Sequence, residues 1–113
     1  MLHVREYIDA AGRSPFTKWL RALNVQAAAK VTTALERIVE GNLSNVKAVG
    51  GGVLEYKVDF GPGYRIYFGR DGERLVILLA GGVKKRQQED IRRAKTNWED
   101  YRSRKTEEKA RCR

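Results

Sequence analysis

A β-hairpin followed closely by a third apolar strand constrains the fold of this chain more than any other feature. Polarity alternates with a period of two along residues 54–60 and 64–68, which predicts two strands that each bury one side. The sequence between them, GPG at 61–63, is typical of turns. The run LVILLA at 75–80 is apolar on both sides. We therefore expect a central strand that is covered on both faces and ends at the glycine pair 81–82.

Two helices are predicted before these strands. Ser14 and Pro15 indicate a helix start, because the hydroxyl can accept from a free backbone N–H and proline needs no partner in the first turn. Asn24 can cap a second helix, and Gly41 suits its end because glycine tolerates a left-handed backbone. The short joint between them indicates an antiparallel helical hairpin. Apolar side chains recur at helical spacing on both: Phe16, Trp19, Leu20 and Leu23 on the first, and Ala28, Val31, Leu35 and Ile38 on the second.

The two ends of the chain and one internal segment complete the prediction. Residues 2–8 alternate well enough for a first strand, and residues 42–52 are expected to form a loop. A last helix begins near Gln87 and has one apolar face, formed by Ile91, Ala94, Trp98 and Tyr101. Residues 103–113 lack such a face, so we expect a frayed or disordered end. Three aromatic side chains could stack on nucleic-acid bases, although their helical spacing favours core positions: Trp19, Trp98 and Tyr101.

A row of polar side chains occupies the other side of the predicted hairpin. With a three-residue turn, Phe60 faces Tyr64. Asp59 then lies across from Arg65, and Lys57 lies across from Tyr67. Since the opposite side is fully apolar, we expect the polar side to be open or to line a cleft. A simple solvent-facing surface, with ion pairs worth about 0–1 kcal/mol each, is the alternative interpretation. The patch comprises Glu55, Lys57, Asp59, Arg65 and Tyr67.

A second cluster of cations follows the third strand. Lys84, Lys85 and Arg86 leave its end and could close over the polar patch. Cations that approach from two elements are suited to clamping a phosphate.

The overall charge indicates a polyanionic partner. Lys and Arg number 23 against 14 Asp and Glu, which gives a net charge of +9 and a pI near 10.0. Residues 84–113 hold twelve of the cations and six of the acids, a net charge of +6. Nucleic acid or an acidic protein fits this balance, and a merely solvated basic helix and tail is the simpler alternative.

The remaining global features bound the class of protein. No apolar run approaches the length of a membrane span, and the start MLHVREYIDA is too charged and short for a secretory signal, so a soluble cytoplasmic protein is expected. The single cysteine, Cys112, cannot form an internal disulfide. Because the only histidine, His3, lies at the other end of the chain, no metal site and no cofactor are expected.

Several short motifs occur in a fixed order along residues 3–101. They are Phe16-x-x-Trp19-Leu20, Gly41-Asn42, Gly52-Val53-x-Glu55, the stretch FGPGYRIYF at 60–68, and Leu78-Leu79-x-Gly81-Gly82-x-Lys84-x-x-Gln87-x-x-Asp90-Ile91-x-x-Ala94.

With the element order β-α-α-β-β-β-α, these motifs resemble the RelE/ParE toxin superfamily of bacterial toxin–antitoxin modules. The narrower resemblance is to the HigB-like group called addiction module killer proteins. The resemblance implies an α+β fold with a twisted, mainly antiparallel sheet, a helical hairpin and a C-terminal helix. It assigns residues 1–102 to the toxin domain and leaves 103–113 as a basic, flexible tail.

What the resemblance implies is a metal-independent, ribosome-dependent mRNA endoribonuclease. Carried over by position, the catalytic residues are Glu55, Lys57, Arg65, Lys84 and Lys85, and the RNA-binding residues are Tyr67, Arg86 and Gln87. Arg65 suits bidentate phosphate binding, and one of the paired lysines would stabilise the phosphorane or donate a proton. The general base stays open between Lys57 and Glu55. Some members carry a catalytic tyrosine near the start of the last helix, where this chain has Ile91.

Two other functions remain open at this point. The same fold hosts ParE-like inhibitors of DNA gyrase without hydrolytic chemistry, and a non-catalytic basic RNA-binding module also fits the charge. The partners that the resemblance implies are a cognate antitoxin with a helix-turn-helix DNA-binding domain, mRNA and the ribosome. Contact with operator DNA would come only through the antitoxin, and no membrane is involved.

Overall fold

The structure, a computed structural model, describes residues 1–111 and has an α+β fold. The elements in chain order are β1 (His3–Glu6), α1 (Pro15–Arg21), α2 (Val25–Val39), β2 (Val46–Gly50), β3 (Val53–Val58), β4 (Tyr64–Asp71), β5 (Leu75–Val83), a 3-10 turn (Lys84–Arg86) and α3 (Gln87–Arg111). The strands form one sheet in the order β1-β5-β4-β3-β2. Only β1 and β5 run parallel, so the predicted mainly antiparallel sheet is confirmed.

The helical hairpin forms for the reasons that its sequence indicates. The Ser14 hydroxyl accepts from the Thr17 amide at 3.1 Å, and the Asn24 side chain accepts from the Ala27 amide at 2.8 Å, so each helix start has its expected cap. Gly41 follows the end of α2 with φ of +82°, the left-handed backbone that favours glycine.

Each face of the sheet is covered by helices. The hairpin packs on one face over a wholly apolar cluster that includes Phe16, Val31, Ile38, Ile66 and Phe68. On the other face, α3 packs over a second cluster that includes Val53, Leu79, Ala94 and Trp98. The strand β5 lies between β1 and β4 with helices on both sides, as the double-sided run LVILLA predicts.

Two predicted loop and strand boundaries are wrong. Residues 42–52 contain β2, a largely exposed edge strand that pairs antiparallel with β3. Its alternation is hidden because few of its side chains are buried. The glycine pair 81–82 does not end β5, which continues to Val83. Gly81 and Gly82 have no side chains, and this leaves room for Trp19 and Asp90 to pack on the strand from opposite faces.

The register of the β3–β4 hairpin also differs from the prediction. Val58 pairs with Tyr64, Lys57 with Arg65, and Glu55 with Tyr67, so five residues, 59–63, connect the strands. The predicted three-residue turn is therefore wrong, and Asp59 lies in the turn. Because the error is two residues, every side chain keeps its predicted face.

The C-terminal helix is longer than expected. Residues beyond 102 were predicted to fray, but α3 continues through Arg111. Polar contacts hold this part: Lys105 Nζ lies 2.5 Å from Asp71, and Arg104 Nη2 lies 2.5 Å from Asp100. The boundary of the toxin domain at residue 102 remains a prediction, and Cys112 lies outside the described residues.

Candidate functional site

Glu55 is the centre of a buried polar cluster beneath the start of α3. Its side chain is 2% exposed, on a strand that otherwise buries apolar residues. One carboxylate oxygen lies 3.6 Å from both Arg65 Nε and Lys47 Nζ. The other accepts a hydrogen bond of 2.8 Å from Gln87 Nε2. Three elements, β2, β4 and α3, thus hold one carboxylate in place.

Arg65 lies beside Glu55 and beneath the Gly63 backbone. Arg65 is 5% exposed, and its Nη1 donates a hydrogen bond to the Tyr64 carbonyl at 3.2 Å. A Cβ on Gly63 would be 3.4 Å from both Arg65 Nη1 and Lys84 Cβ. The glycine therefore allows the arginine and the lysine to approach each other. The Lys84 amide also donates to the Gly63 carbonyl at 2.9 Å, which fixes the turn after β5 on the hairpin.

Three buried polar atoms in this region have no hydrogen-bond partner among residues 1–111: Arg65 Nε, Tyr67 Oη and Asp90 Oδ2. Such atoms are rare in folded proteins and mark places where water or a ligand group completes the set. Burial raises the pKa of the Tyr67 phenol, and the negative charge of Glu55 raises it further. Burial also raises the pKa of Asp90, although the positive charges of Arg93 and Arg86 oppose that shift.

The structure brings together only some of the predicted site residues in one buried cluster. Glu55, Arg65 and Tyr67 lie below the first turns of α3, with Gln87 half-buried against them. Lys57 pairs in register with Arg65 but its side chain is exposed. The cations of the 3-10 turn are also exposed and form a rim beside the cluster: Lys84, Lys85 and Arg86.

The polar side of the hairpin was expected to be open or to line a cleft, and it is not open, because Glu55, Arg65 and Tyr67 are buried. α3 covers that face, because Ala94 and Trp98 pack on Val53 and Leu79 next to the charged residues. Trp98 is so close to the sheet that a Cβ on Gly69 would be 2.5 Å from its ring. A polar row on one sheet side indicated exposure, but apolar neighbours on the same side provide a surface for a helix.

Two residues of the cluster were missed. Lys47 was assigned to a loop, yet β2 places it in register with Glu55. Asp90 was named only as part of a motif, yet its carboxylate packs on Gly82, where a Cβ would be 1.9 Å from Oδ2. The glycine at 82 was the available signal, since a glycine inside a strand often marks a close approach.

Two further observations concern residues 1–111. They contain no group of three His, Cys, Asp or Glu side chains that could hold a metal ion. They also include no helix with the length and apolar character needed to span a bilayer.

Residues 18–99 match the family described as phage derived protein Gp49-like (DUF891). The chain belongs to the Gp49-like family. A relative from Haemophilus influenzae, described as an uncharacterized protein, is 42% identical over 81 residues, which cover 71% of this chain and 82% of the relative. The Gp49-like match contains Glu55, Arg65, Tyr67 and Gln87, so the whole buried cluster lies within the family's domain.

Proposed function

We propose that this Gp49-like protein is the toxin of a toxin–antitoxin module, similar to the HigB-like group of the RelE/ParE superfamily. Its activity would be metal-independent cleavage of mRNA on the ribosome. The observation that carries the proposal is the buried Glu55–Arg65 pair with Lys57 and Lys84 at its edge. A sheet that buries charges in this way sacrifices stability, which favours a functional role for them.

The proposed reaction is a transesterification within the RNA. The ribose 2′-oxygen attacks the adjacent phosphorus and forms a new P–O bond, while the bond from phosphorus to the 5′-oxygen breaks. The 2′-hydroxyl loses a proton and the leaving 5′-oxygen gains one, so the charges balance. The phosphorane carries additional negative charge, which nearby cations stabilise most strongly where water is excluded.

The geometry distributes these tasks among the side chains. Arg65 and Lys84, which meet at Gly63, would hold the phosphate. Lys57, directly across from Arg65, would accept the 2′-hydroxyl proton, and Lys85 or Lys84 would protonate the leaving oxygen. Glu55 accepts a hydrogen bond from Gln87 and forms ion pairs at 3.6 Å with Arg65 and Lys47, so we propose that it orients Arg65 rather than acting as the base.

Access to Arg65 requires a local movement. The residue is 5% exposed, and the backbone of Gly63 and the Lys84 side chain lie next to its guanidinium. The 3-10 turn Lys84–Arg86 joins β5 to α3 and has no side-chain cap, so it would shift when RNA binds if the hydrogen bond from the Lys84 amide to Gly63 opens. Gln87 follows this turn and would couple its position to Glu55.

The proposed partners follow from the charge and from the proposed family relationship. The net charge of +9 suits mRNA and the ribosome as polyanionic partners. A cognate antitoxin with a helix-turn-helix domain would neutralise the toxin, and it would bring the complex to operator DNA.

Primer extension on mRNA in a translating extract tests the proposal. The wild-type protein, freed from its antitoxin, should produce new 5′ ends with or without EDTA. A Lys84→Ala/Lys85→Ala variant should produce at least ~10²-fold fewer, because each donor on a developing charge contributes strongly. Arg37→Ala, which removes an exposed cation on α2, is the matched control and should cleave normally.

Two results would contradict this function. Intact mRNA together with inhibition of DNA supercoiling would indicate a ParE-like gyrase inhibitor. Cleavage that EDTA abolishes and Mg²⁺ restores would reject the metal-independent mechanism.

A further inference from the structure

A second concave site borders the Glu55 cluster and shares only Arg86 and Asp90 with the residues described above for that cluster and its rim. It is a cleft of about 650 Å³ between α1 and α3, at the end of β5. Seven of its lining side chains carry charge or an aromatic surface: Asp9, Arg13, Lys18, Trp19, Arg86, Asp90 and Arg93. Its volume is within the usual range of small-ligand sites.

The floor of the cleft is a strand edge with a free side. Pairing between β1 and β5 ends at Glu6 and Leu78, so residues 80–83 pair with β4 alone among the strands described here. The Asn97 side chain donates to the Leu79 carbonyl at 2.9 Å, and the cleft continues beyond it to Val83. An unpaired strand edge presents backbone donors and acceptors to whatever enters.

The two helices approach this edge closely because residues 81 and 82 are glycines. A Cβ on Gly81 would be 2.0 Å from the Trp19 ring, and one on Gly82 would be 1.9 Å from the Asp90 carboxylate. Trp19 is thus held firmly in one wall and Asp90 in the other. A rigid aromatic side chain in a wall suits a flat ligand, since little side-chain entropy is lost on binding.

The rim of the cleft is cationic. Arg13 and Lys18 are exposed, and neither forms an ion pair with any side chain of the described chain. Arg86 and Arg93 share Glu89 at 4.0 and 3.5 Å in exposed pairs that contribute little. Four cations therefore face two carboxylates, those of Asp9 and Asp90, and the balance favours an anion.

We propose that this cleft binds one nucleotide unit of single-stranded RNA, separately from the phosphate at the Glu55 cluster. The phosphate contacts the cationic rim, and the base lies along the Trp19 indole with its polar edge toward the strand. Base–aromatic stacking and phosphate contacts are the two interactions that such binding needs. An acidic peptide would satisfy the rim but would leave the indole unused. The choice of RNA rests on the proposed function, but the binding does not depend on cleavage.

Tryptophan fluorescence provides a direct measurement of this binding. The chain has two tryptophans, and Trp98 is 6% exposed in the core, so a quench by added nucleotide reports Trp19. Nucleoside 5′-monophosphates and short oligoribonucleotides should quench, and Trp19→Phe should remove the quench. Arg13→Ala/Lys18→Ala should weaken oligoribonucleotide binding about tenfold and reduce the slope of log affinity against log salt by about one per residue. The control Arg37→Ala should bind as the wild type does.

Other ligands in the same titration show whether the affinity comes from the phosphate, from the base or from both. Inorganic phosphate and free nucleosides should each bind more weakly than the nucleotide, because each supplies one of the two contacts. A lack of quenching by nucleotides at millimolar concentration would overturn the proposal. Equal affinity for poly-glutamate would also overturn it, because the cleft would then be a general groove for anions.

The two proposals fail in different ways. Lys84→Ala/Lys85→Ala should lose cleavage yet keep the Trp19 quench, which supports two separate sites. Nucleotide binding to a wild-type protein that cleaves no mRNA would reject the endoribonuclease and keep the cleft.

Discussion

The two faces of the sheet are built on different principles although they share every strand. The face under α1 and α2 buries a cluster that is entirely apolar. The face under α3 buries Glu55 and Arg65 at 2% and 5% exposure and leaves three polar atoms without partners in the described chain. Apolar side chains of similar volume would generally make such an interior equally or more stable. The first face therefore serves stability, whereas the charges of the second face are those to which the proposed function assigns a role.

The helices that cover the two faces are also held differently. The hairpin depends on caps and apolar packing. The far half of α3 depends on polar contacts, in which Tyr101 donates to Asp71 and Tyr7 donates to Asp100, each at 2.6 Å. These contacts titrate and are partly solvated, so the packing of α3 on its face should depend on pH more than the packing of the hairpin on the other.

The largest expected effect is a difference in mRNA cleavage between variants of Arg65 and Ile66, neighbouring residues of β4 whose side chains point to opposite faces. Arg65→Ala should reduce mRNA cleavage per folded molecule at least ~10²-fold, because it removes a donor from the proposed phosphate site. It should also cost about 3–5 kcal/mol of unfolding free energy, since it leaves Glu55 buried with fewer partners. Ile66→Ala should cost about 2–5 kcal/mol through its cavity, yet retain activity per folded molecule. Urea unfolding combined with the primer-extension assay measures both quantities.

Milder variants keep this comparison usable if the alanine variants do not fold. Ile66→Val should cost about 0.5–1.5 kcal/mol and leave cleavage unchanged. Arg65→Lys retains the charge but loses the planar pair of donors, so cleavage should still fall. Full activity of Arg65→Lys, or equal losses of activity at both positions, would show that the faces do not differ in the way described.

The second test uses the two adjacent glycines of β5. Gly81→Ala and Gly82→Ala should each cost about 1–3 kcal/mol, because the added methyl group collides with Trp19 or with Asp90. Asp90→Ala should relieve much of the cost of Gly82→Ala and none of the cost of Gly81→Ala. Relief is incomplete because the Asp90 Cβ would remain 3.2 Å from the new methyl. A double-mutant cycle by urea unfolding measures this coupling, and additive effects at residues 82 and 90 would contradict the packing.

The third test concerns the polar contacts of α3. Hydrogen bonds from Lys105 and Tyr101 lower the pKa of Asp71 below its ordinary value of 3.8. A lowered pKa in the folded state contributes stability above pH 3.8, and that stability is lost as the pH falls through the folded-state pKa. Asp71→Asn should therefore cost about 1 kcal/mol at pH 7, and the difference from wild type should shrink in acid. Parallel stability–pH curves for the two proteins would contradict this assignment.

Substitution of Asp90 should change stability in the opposite direction to substitution of Asp71, and it should have the smallest effect. Burial raises its pKa above 3.8, so its ionised form opposes folding above the folded-state pKa and this penalty disappears as the pH falls. Asp90→Asn should therefore leave stability at pH 7 unchanged or raise it by up to about 1 kcal/mol. Thermal unfolding at several pH values measures the difference, and a clear loss of stability at pH 7 would show that the carboxylate has a favourable partner.

Local signals in the sequence were sufficient for most of the fold. The caps at Ser14 and Asn24 and the double-sided run at 75–80 all correspond to observed features. β2 was missed because an exposed edge strand has little apolar alternation. For the site, alternation placed Glu55, Arg65 and Tyr67 on one side correctly, since a register error of two residues preserves the face. Their burial was not predictable from the hairpin, because it depends on a helix that starts more than twenty residues later.

The sequence by itself determined the elements other than β2 and which side chains share a face, because both follow from local chemistry and from the periods of helices and strands. Only the tertiary structure decided that α3 covers the charged row, that Lys47 and Gln87 join Glu55, and that Trp19 and Asp90 meet the same strand from opposite faces. These outcomes depend on contacts between residues that are distant in the chain. Packing and desolvation at such contacts leave no signal in a local sequence pattern.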